Sequence, residues 1–153
     1  MTSALPPDDA DNGMPGESAP GIVTEQSGAQ AMVGYVVDIG QADGKGRAWL
    51  DIGPQHINRV GMLHGGLAAT LLDAACGFTA SRMFGGDAVK NPLVTVSLNV
   101  NFVDGARLGQ RVTATGHPAG GGRKIAHVTG ELRDQDGRMV ATATGVFRRI
   151  TKT

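Results

Sequence analysis

Gly65-Gly-Leu-Ala-Ala-Thr-Leu-Leu-Asp73-Ala-Ala-Cys76-Gly-Phe-Thr-Ala-Ser81 is the stretch on which the fold turns. Its residues are small or apolar throughout, and Asp73 is the only charge between His64 and Arg82. A run this long and apolar on all sides predicts one helix enclosed by its own domain. The helix ends near Met83 to Gly86, where Gly85-Gly86 supplies a stop. An unpaired carboxylate inside such a helix is expensive, so Asp73 is expected to be tied to a backbone donor or an arginine, or to serve chemistry.

Outward from the helix, the pattern changes to that of strands. Upstream, Met32–Ile39 and Arg47–Ile52 flank a glycine-rich turn around Asp43–Gly46 and read as a hairpin. Gly53-Pro54 breaks the second strand, and Gln55–Leu63 forms a loop into the helix. Downstream, Val94–Val103 alternates, with Val94, Val96, Leu98, Val100 and Phe102 on one face and Thr95, Ser97, Asn99 and Asn101 on the other. Gln110–His117, Lys124–Leu132 and Met139–Phe147 follow, joined by the loop Pro118–Arg123 and a turn at Asp134–Gly137. One long helix beside five to six mostly antiparallel strands predicts an α+β domain, a curved sheet wrapped around a central helix.

At 153 residues the chain suits a single domain. With 24 glycines and 4% aromatic residues, its core is built from Val, Leu, Ile and Ala. Residues 1–28 form an acidic N-terminal tail, expected to be flexible because it lacks the apolar surface to offset its ordering, and 29–151 form the domain. The net charge of zero hides an asymmetry: all fourteen bases fall after residue 30, against nine of the fourteen acids. That excess of five suits a small anionic ligand and is too diffuse for nucleic acid. Cys76, the only cysteine, is expected to be a buried structural thiol. Without a signal-peptide pattern or an apolar span of membrane length, a cytoplasmic location with no membrane partner is expected.

Several residues could carry chemistry. Gly65 and Gly66 open the helix, where the first backbone N–H groups lack intrahelical partners and the dipole is positive, so an oxyanion could bind there. A tight turn needing positive φ explains a double glycine equally well. Asp73 follows Gly66 by two turns, about 10 Å, on the same face. That is too far for both groups to hold one reacting carbon unless a partner subunit supplies one of them. His64 could donate to a carbonyl or hold the loop, and Asn58 could hydrogen-bond a carbonyl or a water. Asp8-Asp9 and the Asp134/Asp136 pair read as solvated charge. No metal-ligand spacing, nucleophile elbow, phosphate loop or dinucleotide fingerprint is present.

The segment Asn58-Arg-Val-Gly-Met-Leu-His64-Gly65-Gly66-Leu-Ala-Ala-Thr-Leu-Leu-Asp73 resembles the signature of hotdog-fold acyl-CoA thioesterases of the PaaI-like and THEM2-like group, and residues 30–150 follow that family's element order. The resemblance implies hydrolysis of an acyl- or aryl-acyl-CoA to the free acid and CoA. It implies that the Gly65 N–H polarises the thioester carbonyl, with Gly66 beside the substrate, and that Asp73 is general base or nucleophile. Thr95 would orient the water, and Arg123 and Lys124 would meet the phosphates of coenzyme A. Subunits packed with antiparallel helices would share each site, giving a dimer or dimer of dimers. No cofactor is expected beyond the coenzyme A of the substrate. A hotdog module that binds acyl groups without chemistry, and a hotdog hydratase or dehydratase, are the competing readings.

Overall fold

The computed structural model describes residues 19–151. In chain order it contains β1 (Ile22–Val23), α1 (Gly28–Val33), β2 (Val36–Asp38), β3 (Arg47–Asp51), a 3-10 turn at Pro54–His56, α2 (Gly65–Met83), β4 (Leu93–Phe102), β5 (Arg111–Gly121), β6 (Ile125–Asp134) and β7 (Met139–Arg149). The strands form one antiparallel sheet in the order β1-β2-β3-β5-β6-β7-β4. Helix α2 packs against β3, β4, β5, β6 and β7. This is the expected α+β hotdog architecture, with seven strands because Ile22–Val23 adds a short outer one.

Helix and sheet meet through small residues. Ala68, Leu71, Leu72, Ala75, Cys76, Thr79 and Ala80 recur every three to four positions and are buried. They lie against a core that includes Val112, Ala114, Leu132, Ala141 and Phe147, all fully buried. Gly116 on β5 shows how close the layers come: a Cβ there would stand 2.3 Å from Thr79 Oγ1 and 2.8 Å from the Ala75 carbonyl. The Thr79 hydroxyl is already committed, donating to that carbonyl at 2.8 Å and accepting the Gly46 N–H at 2.8 Å. Gly116→Ala is therefore expected to destabilise the fold by about 1–3 kcal/mol, measured as a lowered denaturant midpoint with an unchanged slope. An unchanged midpoint would refute this account of the packing.

The structure corrects the expectation that α2 is enclosed on all sides. Leu67, Thr70, Asp73, Ala74, Gly77 and Phe78 stay partly exposed, Gly77 and Asp73 reaching only the β7–β4 end of the sheet, at Phe147, Leu93 and Thr95. A single sheet covers one side of a helix, and because the opposite side is also apolar, composition alone does not distinguish the two. Asp73 is thus half-buried, at the edge of the domain interior. Cys76 is fully buried as expected, and desolvation first, then the nearby Asp73 charge, pushes its thiol up to about 12.

Other corrections are local. Met32 and Val33 belong to α1, which the Ser27 side chain caps by accepting the Gln30 N–H and left-handed Gly34 terminates. The strand expected over Met32–Ile39 shrinks to β2. β1 pairs with β2 through Ile22↔Asp38 and Val23↔Val37, so the domain begins ahead of residue 29. Of the expected tail, residues 1–18 lie outside the described residues. β5 runs through the expected loop to Gly121 with a bulge between Pro118 and Gly120, leaving only a tight connection to β6. Asp134 is buried rather than solvated: its Oδ1 accepts the N–H groups of Asp136 and Arg138, locking the β6–β7 turn.

The most consequential departure is a bulge in β4. Pairing with β7 goes from Thr95↔Phe147 directly to Ser97↔Val146, so Val96 is an extra residue. Alternation slips by one at that point. Leu98 and Val100 pack toward the core, and on the other side of the bulge so does Leu93, with the exposed Thr95 on the same side, while Val94 and Val96 point outward at 39% and 57% exposure. Thr95, expected on the polar face, is turned toward α2.

Candidate active site

A cleft of about 500 Å³ crosses the outward face of α2. Thr70, Asp73, Ala74, Gly77 and Phe78 form its floor, β4 contributes Leu93 and Thr95 on one flank, and Tyr35 with Ser27 and Ala29 of the α1 region stands on the other. Its wall near the helix end is tied down: the Ser81 hydroxyl donates to the Ala88 carbonyl at 2.6 Å, and Asn91 donates to the Ser81 and Gly85 carbonyls.

Asp73 and Thr95 meet in this cleft. The Thr95 hydroxyl donates to Asp73 Oδ1 at 2.7 Å, and among the described residues no other side chain hydrogen-bonds that carboxylate. The threonine holds the carboxylate in one orientation and leaves Oδ2 for a water or a substrate atom.

The helix start is built from the residues ahead of it. His64 is the N-cap of α2, its Nδ1 accepting the Gly66 N–H at 2.9 Å. Nδ1 is therefore the unprotonated nitrogen and Nε2 carries the hydrogen toward solvent. This fixes the part of His64 as a cap. The Gly66 N–H, expected beside substrate, is taken by it, and among the described residues the Gly65 N–H has no backbone or side-chain acceptor. Neither glycine has positive φ. What favours glycine is close approach: a Cβ on Gly66 would sit 3.0 Å from His64 Nδ1, and one on Gly65 3.3 Å from the Phe102 ring.

Asn58 shapes the loop that delivers the cap. Its Oδ1 accepts the N–H groups of Val60 and Met62 at 3.0 and 3.1 Å, leaving its amide NH₂ unspent among the described residues. His56, which the sequence did not single out, is a second brace. It is buried, its Nδ1 accepts the Gly53 N–H, its Nε2 donates to the Val33 carbonyl at 2.7 Å, and its own carbonyl accepts the His64 N–H. Its partner lies 23 residues away in sequence, so no local pattern announces it. Arg123 and Lys124 occupy the β5–β6 connection, are exposed, and do not line the cleft.

Gly65 and Asp73 within one chain remain two turns apart, about 12 Å along the axis. The helix start and the carboxylate–hydroxyl pair thus form two halves of an arrangement suited to acyl transfer: a free N–H for a developing oxyanion, and an oriented base.

The thioesterase superfamily model matches residues 60–141, from the loop before the helix to β7. Acyl-coenzyme A thioesterase 13 of Homo sapiens is 27% identical over 120 residues, which cover 78% of this chain and 83% of that protein. Among solved structures, the E. coli PaaI protein of the phenylacetic acid degradation operon superposes with a TM-score of 0.71 at 20% identity, covering 84% of this chain and 88% of that one. A hypothetical thioesterase from Streptococcus pneumoniae, solved with coenzyme A, superposes with a TM-score of 0.65 at 22% identity, covering 77% and 87%. The chain belongs to the thioesterase superfamily, as a thioester hydrolase with the hotdog fold that the PaaI structure shares.

Proposed function

We propose that the protein hydrolyses an acyl- or aryl-acyl-CoA thioester to the free acid and CoA. The observation that carries this reading is the Asp73 carboxylate, oriented by the Thr95 hydroxyl in a cleft of about 500 Å³. Similarity to a curated acyl-coenzyme A thioesterase, and a fold shared with a thioesterase solved with coenzyme A, support the choice of thioester.

In this mechanism the substrate carbonyl accepts hydrogen bonds from the Gly65 N–H and the Asn58 amide, and its oxygen takes up negative charge there. Asp73 of the partner subunit removes a proton from water as the water oxygen attacks the carbonyl carbon. The C–S bond then breaks, and the leaving thiolate takes that proton. The alternative is direct attack by the Asp73 carboxylate, which expels the thiolate and forms an anhydride that water opens. The exposed Arg123 and Lys124 would meet the coenzyme A phosphates at the mouth of the assembled site.

Self-association completes the proposal. β4 ends the sheet, and Val96, Phe102 and Val103 are 57%, 60% and 60% exposed. An unpaired edge strand ten residues long with apolar side chains invites pairing with its own copy, giving a dimer and, by further packing, a dimer of dimers.

The test is thiol release from a panel of short, long and aryl acyl-CoAs. Turnover of at least one class, tracked by both free acid and free thiol, is expected. No turnover of any member by the folded oligomer would overturn the reading.

A further inference from the structure

Tyr35 enters the cleft from the flank opposite Thr95. Its segment is tied to α2 four residues farther on, where Arg82 donates through Nη1 to the Ile39 carbonyl, and Tyr35 lines the same cleft as Asp73 and Thr95. The backbone at Tyr35 is held there, because buried Gln30 donates to its carbonyl at 3.2 Å and to that of Val23 at 2.8 Å. A brace of this kind fixes where the ring stands.

We propose that Tyr35 is a further residue of the site, its hydroxyl oxygen holding the hydrolytic water against Asp73 from the side of the cleft that Thr95 does not occupy. The inference rests on the thioesterase reading above. Thr95 takes one carboxylate oxygen at 2.7 Å, and the other is open. A water donating one hydrogen to that second oxygen and the other to the Tyr35 oxygen has a lone pair left for the carbonyl carbon. Its first proton passes to Asp73 as the C–O bond forms, and from there to the departing thiolate when the C–S bond breaks. Tyr35 itself gains and loses no proton. Burial first, then the Asp73 charge, pushes its phenol up, with the Ser27 hydroxyl opposing, which suits a group that stays neutral throughout.

Tyr35→Phe keeps the ring and removes only the oxygen, so the fold is retained. With the acyl-CoA that the wild type turns over best, kcat is expected to fall about tenfold, the loss of one hydrogen bond in the transition state, with KM within about twofold. A second readout separates water placement from a structural effect. Added hydroxylamine competes with water for the acyl group, and the enzyme-dependent ratio of hydroxamate to free acid is expected to rise in Tyr35→Phe because hydrolysis alone has lost its guide. A Tyr35→Phe protein with wild-type kcat and an unchanged ratio would overturn the inference and leave the thioesterase reading intact. A fall in kcat with an unchanged ratio would also overturn it, since Tyr35 would then be serving the whole site and not the water. A wild type that releases no thiol at all would remove the reading itself, and this inference with it.

Discussion

Asp73→Asn is expected to lower kcat by about 10²- to 10⁴-fold without unfolding the protein. The substitution keeps the side chain's shape, and the amide oxygen can still accept the Thr95 hydroxyl that Asp73 Oδ1 now accepts at 2.7 Å. What disappears is the negative charge and the ability to take a proton from water or to attack a carbonyl. Because Asp73 is half-buried at the cleft floor and has no other side-chain partner among the described residues, the substitution breaks no ion pair and leaves no cavity. The activity loss should therefore be accompanied by a nearly unchanged melting temperature. The measurement is coupled thiol release alongside thermal unfolding. A folded Asp73→Asn protein turning over at the wild-type rate would remove Asp73 from the mechanism.

The second large effect concerns assembly. Val96→Lys on β4 is expected to convert the proposed dimer to monomers and to reduce kcat/KM by about 10²-fold or more, because each proposed site takes its helix start from one chain and its carboxylate from another. Val96 is 57% exposed and is the extra residue of the bulge, so a lysine there disturbs none of the chain's own core packing. In a symmetric pair of edges the new charge also approaches its own copy, which adds repulsion. Sedimentation or light scattering reads the mass, and circular dichroism checks that the monomer is folded. A folded, fully active monomer would show that one chain holds the whole site.

Much of this arrangement can be read from the chain because its signals are local. The α2 span, its stop at Gly85-Gly86, and the spacing from Asn58 through His64 to Asp73 are all contiguous in sequence, and period-two alternation located the strands after the helix. The caps of α1, Ser27 and Gly34, are also local, but the apolar residues from Met32 to Ile39 carry a strand pattern that overlaps the helix end. What escaped depends on distant pairing. His56 matters because of Val33, 23 residues earlier, and Tyr35 lines the cleft because the segment after α1 is brought back to α2, where Arg82 reaches the Ile39 carbonyl. The two sides of α2 differ only in what covers them, and their compositions are alike. The role of Asn58 as a loop former and the commitment of the Gly66 N–H to His64 are matters of hydrogen-bond direction, which residue types alone leave open.

The bulge at Val96 makes the Thr95–Asp73 contact a question of parity. From Leu98 toward the C-terminus, β4 keeps its core-facing side chains on even-numbered residues, while Leu93 and Thr95 are odd. One inserted residue reconciles the two counts. A strand of the same residues paired regularly through this point would keep every group named in the mechanism and still present Val94 to the helix in place of the threonine hydroxyl. The site therefore depends on where this strand slips its register as firmly as on which residues it carries, and regular pairing across Val96 would dismantle it with no residue changed.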